Sequence, residues 1–176
     1  MPSQGPLYPT TAVEDNSFGA NTWSGTTETN VTADDGTYAL GNGPGAPTVY
    51  IKATGFGFTI PPNSTILGIS VEVEKREAAA DQNSVDGSVR LYRNNALVGT
   101  DKADTVTEWP LVDTIFTYGS STDLWGTSWT PGDINASDFG VAFSGQSTAG
   151  GSFILVDFIR VTVTYSTQAG DLGLIF

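Results

Sequence analysis

The sequence predicts an all-β protein, because it is poor in stretches that could form helices and rich in short strand patterns. Twenty-one glycines and nine prolines are spread over 176 residues, which leaves few segments long enough for a helix. Short runs of alternating apolar and polar side chains recur along the chain, and most of them are bounded by Gly, Pro, Asn or Asp. Many short strands separated by turns indicate a sandwich or a closed barrel of antiparallel strands.

The clearest strand patterns lie at 69–74, 89–91 and 159–165, where apolar residues alternate with Ser, Glu, Arg or Thr. We expect further strands at 48–53, 57–60, 97–100, 113–118, 139–144 and 151–156. Residues 74–81 (EKREAAAD) contain good helix formers but no apolar stripe, so they predict a hairpin connection with at most one helical turn. Thr130 before Pro131 predicts the start of a short helical turn.

The chain length suits one compact domain, which we place at residues 13–167. Residues 1–12 contain three prolines and no periodicity, and they predict an extended N-terminal arm. Residues 15–45 are rich in Asn, Thr, Gly and Asp and predict a long ordered loop with one or two short strands. Residues 168–176 follow the final strand pattern as a short C-terminal tail.

The composition argues against several classes of function. Cysteine and histidine are absent, which removes Cys-His and Ser-His-Asp nucleophile systems and the usual zinc and copper ligands. Nineteen acidic and seven basic residues give a net charge of −12, so we expect no nucleic-acid partner. The N-terminus has neither a cationic start nor an apolar run, so we expect no signal peptide and no membrane association.

The acidic residues do not predict a catalytic, cofactor or metal site. Glu72 and Glu74 are spaced along one strand face as a glycosidase pair would be, but the polar face of an amphipathic strand is the favoured interpretation. Segments 34–36 (DDG) and 81–87 (DQNSVDG) resemble calcium loops without matching the EF-hand spacing. Asp and Asn before Gly are also the ordinary chemistry of β-turns, which we favour for both segments.

Two groups of large apolar side chains are candidates for binding. The four tryptophans, Trp23, Trp109, Trp125 and Trp129, would suit a sugar platform, but core packing is the favoured interpretation. The tail places four large apolar side chains together, and such clusters usually mark a contact when they are exposed. We therefore predict that the tail contacts a neighbouring subunit through Leu172, Leu174, Ile175 and Phe176.

A series of short motifs, taken together, resembles a family of jelly-roll-type structural domains in the virion proteins of tailed bacteriophages. The motifs occur in the same order over about residues 15–165. They are 35–39 (DGTYA), 55–61 (GFGFTIP), 66–74 (ILGISVEVE), 118–119 (YG), 123–126 (DLWG), 129–135 (WTPGDIN), 139–141 (FGV) and 156–163 (VDFIRVTV). The resemblance implies a jelly-roll-like antiparallel β-sandwich of the kind found in capsid decoration (cement) proteins and in fibre or tail accessory proteins.

The function that the resemblance implies is that of a non-enzymatic virion structural protein. We expect a capsid decoration protein on the outer capsid surface, made in the host bacterial cytoplasm. Its expected partners are the major capsid protein or other virion subunits, together with further copies of itself, with a trimer as the first expectation. The alternatives are a neck, tail or fibre component for host attachment, a carbohydrate-binding module, and a glycosidase-like enzyme.

Overall fold

The secondary structure of the computed structural model is almost entirely β. The structure describes residues 1–25, 27–42, 45–149 and 153–167. The strands are β1 (Ser3–Leu7), β2 (Thr11–Asp15), β3 (Ala39–Asn42), β4 (Tyr50–Thr54), β5 (Thr65–Glu77), β6 (Ser84–Arg93), β7 (Ala96–Val98), β8 (Thr114–Gly119), β9 (Gly140–Ser147) and β10 (Phe153–Ser166). A 3-10 helix spans Thr27–Val31, and a short α-helix, α1, spans Pro131–Asn135.

The strands form two five-stranded antiparallel sheets. The first sheet has the order β1-β10-β5-β8, and β3 also pairs with β10. The second sheet has the order β2-β4-β9-β6-β7. Long strands β5 and β10 pair along most of their length and form the centre of the first sheet.

The core lies between the two sheets and takes one face from each. Ile159, Val161 and Val163 of β10 are fully buried, as the alternation in the sequence predicts. From the second sheet, Val89 and Leu91 of β6 are also fully buried in the same cluster. The predicted all-β antiparallel sandwich is therefore confirmed, whereas the specific jelly-roll connectivity stays a prediction.

The structure differs from the predicted elements at two places. Residues 57–60 are not a strand: Gly57 has a left-handed φ of 72°, and the backbone of Ile60 bonds to the Asn135 side chain of α1 instead of to a ladder. Residues 74–77, expected to begin a hairpin connection, continue β5, because Lys75 and Glu77 point into the sandwich and are buried.

The segments predicted to lie outside the domain are partly integrated into it. The N-terminal arm is extended, but β1 pairs with β10 and β2 pairs with β4, so it contributes one edge strand to each sheet. Residues 15–45 contain the 3-10 helix and β3, in agreement with an ordered loop that carries a short strand. The predicted contact of the tail through Leu172, Leu174, Ile175 and Phe176 lies outside the described residues.

Local chemistry explains helix α1. Thr130 caps α1, since its hydroxyl accepts from the backbone N–H of Asp133 while the Asp133 carboxylate accepts from the Thr130 backbone. Pro131 occupies the first turn, as the sequence predicts. None of the helices in the described part of the chain has the length and apolar character required to cross a membrane.

Candidate metal centre

Three carboxylates from distant parts of the chain meet on the first sheet. Asp157 lies in β10, Glu74 lies in the neighbouring strand β5, and Asp34 lies in the loop between the 3-10 helix and β3. The pairing of β10 with β5 shifts register between Val156 and Phe158, so Asp157 occupies an irregularity in the ladder. This irregularity lets the Asp157 carboxylate approach that of Glu74, whose paired residue is Phe158.

The geometry of these carboxylates is compact. One oxygen from each of Asp34, Glu74 and Asp157 lies within 4.8 Å of the others. Asp157 is only 2% exposed, and its Oδ2 accepts a 3.3 Å hydrogen bond from the Gly36 backbone N–H. Within the described part of the chain, its Oδ1 has no hydrogen-bond partner. A buried carboxylate oxygen without a partner is costly, so this side chain is suited to a further ligand or a proton.

The loop that carries Asp34 is held against the sheet on both sides of the carboxylates. Thr32 forms a backbone bridge with Phe158, directly after Asp157. At the far end of the loop, the Tyr38 hydroxyl donates to the carboxylate of Asp113 at 2.9 Å, and the Arg76 guanidinium stacks 5.2 Å from the Tyr38 ring centroid. The loop therefore crosses the outer face of the first sheet, and Asp34 approaches Glu74 and Asp157 from above.

The electrostatics of the cluster disfavour three free negative charges. Burial, the hydrogen bond with Asp157 and the charges of Asp157 and Asp34 together raise the pKa of Glu74 to about 7. Burial also raises the pKa of Asp157. In the described part of the chain, none of the ion pairs includes any of the three carboxylates, so no basic side chain neutralises them. A proton shared by Glu74 and Asp157, or a bound cation, would relieve the repulsion.

A pH dependence follows from the raised pKa values. Between the unfolded pKa of Glu74, 4.5, and its folded pKa, about 7, the folded chain binds more protons than the unfolded chain. This carboxylate pair should therefore lower the stability of the metal-free protein as the pH rises through that window. The test measures the melting temperatures of the wild type and of Glu74→Gln in the presence of chelator. As the pH rises from 4.5 to 7.5, the wild-type value should decrease relative to that of the variant. A constant difference would contradict the prediction, and Glu72→Gln serves as the control.

The donor set is typical of a calcium site. Carboxylate oxygens are hard ligands that Ca²⁺ and Mg²⁺ prefer, and Ca²⁺ accepts the irregular geometry of loop ligands more readily than Mg²⁺. Two oxygens on opposite sides of a Ca²⁺ ion lie about 4.8 Å apart, given bonds of about 2.4 Å. The separations among Asp34, Glu74 and Asp157 therefore fit ligands of one Ca²⁺ ion, with water or backbone carbonyls completing the shell.

The carboxylates that the sequence analysis singled out have different partners in the structure. The Glu72 carboxylate pairs with Arg160 at 2.6 Å, whereas Glu74 joins the cluster, so these two do not act as a matched pair. Asp34 of the DDG turn does reach the cluster, while Asp86 of the DQNSVDG segment is buried elsewhere. Asp157 was missed, and its signal in the sequence is a lone acidic residue inside the apolar run 153–159.

A second charged cluster is buried between the sheets. Lys75 of β5 and Asp86 of β6 are each 1% exposed and form an ion pair that links the two sheets. Asp86 also accepts from Trp109 Nε1 at 3.0 Å, from the Tyr118 hydroxyl at 2.8 Å and from the Asp104 backbone N–H at 3.0 Å. Because both oxygens of Asp86 are fully bonded and lie away from solvent, this cluster serves the fold.

The four tryptophans pack inside the protein, as the sequence analysis favoured. Trp23, Trp109, Trp125 and Trp129 are all buried. Each indole N–H donates inside the protein, for example from Trp23 to the Val49 carbonyl at 2.9 Å. These rings are therefore core and corner residues, as large amphipathic aromatics in sandwiches commonly are.

Comparison with known proteins gives one distant structural likeness. No protein-family model and no curated protein matches the chain. A solved structure of a Stig cyclase, Fisc from Fischerella sp. TAU, in complex with (3Z)-3-(1-methyl-2-pyrrolidinylidene)-3H-indole, matches with a TM-score of 0.38 and 11% identity. The match covers 88% of this chain and 89% of that chain.

This finding corrects two predictions made from the sequence. The prediction of a non-enzymatic virion decoration protein is withdrawn, together with its alternatives of a neck, tail or fibre component and a carbohydrate-binding module, and so is the prediction that the chain is not an enzyme. The finding that overturns them is that the protein sharing this likeness is a cyclase, which is an enzyme. A likeness with a TM-score of 0.38 carries no argument about activity, so no cyclase activity takes their place. The resemblance to virion domains, the capsid partners and the virion location stay untested predictions.

Proposed function

We propose that this protein is a calcium-binding β-sandwich domain, in which the cation ties the loop between the 3-10 helix and β3 to the outer face of the first sheet. The observation that carries the proposal is the buried Asp157 carboxylate, which shares its site with Asp34 and Glu74 and whose Oδ1 has no hydrogen-bond partner among the described residues. A cation at this point would replace three mutually repelling charges by three bonds.

The role of the cation would be structural. Asp34 is exposed on the loop, whereas Glu74 and Asp157 belong to the two central strands of the first sheet. A ligand shared among them would add a cross-link between this loop and the two central strands. The bound state would thereby present the loop surface around Tyr38 and Asp113 in one fixed arrangement.

Calcium titration of the purified chain tests the proposal. After treatment with chelator, isothermal calorimetry with CaCl₂ should show one site per chain, and saturating calcium should raise the melting temperature. At a free calcium concentration 100 times the Kd, the gain in unfolding free energy is about 2.7 kcal/mol. A Mg²⁺ titration should give weaker binding, since Mg²⁺ requires a stricter octahedral geometry.

Matched variants identify the site. Glu74→Gln and Asp157→Asn each keep the shape of the side chain but remove a charged ligand, so each should weaken calcium binding roughly tenfold or more. Glu72→Gln makes the same change two residues away on the same strand, where the carboxylate pairs with Arg160, and should bind calcium as the wild type does. Unchanged affinity in both cluster variants, or no binding by the wild type, would refute the proposal.

A further inference from the structure

The two sheets have four edges, and three of them carry features that discourage pairing with another strand. The first edge is shared by β1, which contains Gly5 and Pro6 and a register shift, and β3, whose other side is bonded to residues 22–24. In the second sheet, β2 ends in Glu14 and Asp15, and β7 has only three residues. Charges, proline, irregularities and short length are the usual protections of sheet edges. The fourth edge, β8, has none of them.

β8 is an unprotected strand edge. It has six residues (TIFTYG) with no charge and no proline, and its only glycine is the last residue. In the described part of the chain, its backbone forms ladder bonds with β5 and with no other strand. Ile115 and Thr117 point outward and are exposed.

The connection that leads into β8 (99–113) contains four acidic residues, but exposed apolar side chains are also concentrated in it. Among the described residues, seven large hydrophobic side chains are exposed, and four of them lie within ten positions of the chain. These are Val106 (83% exposed), Leu111 (50%), Val112 (67%) and Ile115 (42%). An exposed apolar cluster beside a free strand edge is typical of a surface to which an extended segment adds as a new strand.

The chain itself provides a segment of suitable chemistry. In 172–176 (LGLIF), Leu172, Leu174 and Phe176 alternate with Gly173 and Ile175, which is the period of a strand. Neither the segment nor β8 contains a charged side chain, and the nearest acidic residues in the sequence are Asp171 and Asp113, one position before each. Its five residues are one fewer than the six of β8.

The straight path from the end of β10 to the free side of β8 requires the whole reach of the chain before Leu172. Ser166 pairs with Thr65, whereas Gly119 at the end of β8 pairs with Ser70, five residues farther along β5. The free side of β8 lies three strand spacings from β10, so the separation is about 14 Å across the strands and about 17 Å along them, or roughly 22 Å in a straight line. Six residues from Ser166 to Leu172 span at most about 21 Å.

The straight path is also obstructed. The loop after β8 packs directly over Gly68, where an added side chain would collide with Ser121 and Thr122. The carbonyl of Asp123 in this loop accepts from the Ile69 backbone N–H at 3.0 Å, so the loop is bonded to β5. A tail that had to go around it would need more residues than the chain has before Leu172.

We propose that residues 172–176 of one copy add as a strand to the free edge of β8 in a second copy of this chain. The inference goes beyond the proposed calcium site and does not depend on it. It gives the tail residues Leu172, Leu174, Ile175 and Phe176 a receptor on the described structure, formed by β8 and the exposed side chains that precede it.

The oligomeric state tests the proposal directly. We expect sedimentation equilibrium of the full chain to show reversible self-association, and a chain truncated after Gln168 to associate at least about tenfold more weakly with an unchanged melting temperature. Leu174→Asp in the full chain should have the same effect, because it places a charge against an apolar edge. A monomeric full chain at about 100 μM, or undiminished association after truncation, would overturn the proposal.

Cysteine cross-linking tests the place of contact. Because the chain has no native cysteine, only the introduced residues can form a disulfide. Under mild oxidation, the pair Thr117→Cys with Leu174→Cys should form a disulfide between two chains. The control pair Val13→Cys with Leu174→Cys offers an exposed position on the opposite edge strand β2 and should cross-link at least tenfold less. A disulfide within one chain, or equal cross-linking of the control pair, would contradict docking on the β8 edge of a second copy.

Discussion

Asp86→Ala should destabilise the protein by about 3 to 5 kcal/mol, because the change leaves the buried Lys75 ammonium without its counter-charge. The same change also removes the acceptor of the Trp109 indole, the Tyr118 hydroxyl and the Asp104 backbone N–H. Urea unfolding at pH 7 measures the loss. Glu108→Ala removes the same charge at an exposed position beside Trp109 and should change the unfolding free energy by less than about 0.5 kcal/mol.

The pH dependence of the stability of Asp86→Ala tests whether the unpaired Lys75 charge causes the loss. Burial lowers the pKa of Lys75 to about 8 even though Asp86 opposes the shift, so without Asp86 the pKa in the folded state should be lower still. Between that folded value and the unfolded value of 10.5, the unfolded chain binds more protons, so stability of Asp86→Ala should rise as the pH rises. The double variant Lys75→Met with Asp86→Leu should recover part of the loss at pH 7, because it removes the unpaired ammonium but still leaves the three donors to Asp86 without an acceptor. A double variant as unstable as Asp86→Ala would show that the ion pair is not the cause.

Val161→Asp should cost at least about 3 kcal/mol, since it places an unpaired carboxylate in the core between the sheets. Val161 is fully buried and pairs with Val71 of β5, which is also fully buried. The measurement is the melting temperature of Val161→Asp compared with that of Thr162→Asp. The second variant introduces the same charge on the opposite, half-buried face of β10. Because neighbouring residues in a strand face opposite sides, a larger loss in Thr162→Asp than in Val161→Asp would contradict the observed face assignment.

The strand faces could be predicted from the sequence because they depend on local periodicity. Alternation at 159–165 correctly placed Ile159, Val161 and Val163 in the core, and Thr130 with Pro131 correctly marked the start of α1. Both signals act over a few residues, where side-chain direction and backbone chemistry are determined by neighbours in the chain. The all-β class follows from the repetition of such signals.

Strand boundaries were harder to predict from the sequence, because they depend on hydrogen-bond and charge partners from elsewhere in the chain. The backbone of Ile60 bonds to Asn135, 75 residues away, and not to a strand. The charged segment after Glu74 remains a strand to Glu77 because Lys75 finds Asp86 on the other sheet. The N-terminal arm becomes an edge strand because β10 offers a free ladder beside it. None of these partners is visible in a local window of sequence.

The amino-acid sequence by itself determined the all-β class, the core faces, the acidic surface and the absence of cysteine and histidine chemistry. Only the tertiary structure decided that Asp34, Glu74 and Asp157 share one site, since 83 residues separate Glu74 from Asp157 along the chain and a register shift in β10 brings them together. It also decided that Asp86, in a segment read as a turn, would be buried opposite Lys75. The physical reason is the same in both cases: a carboxylate's role depends on the charges and donors around it, and long-range pairing chooses those neighbours.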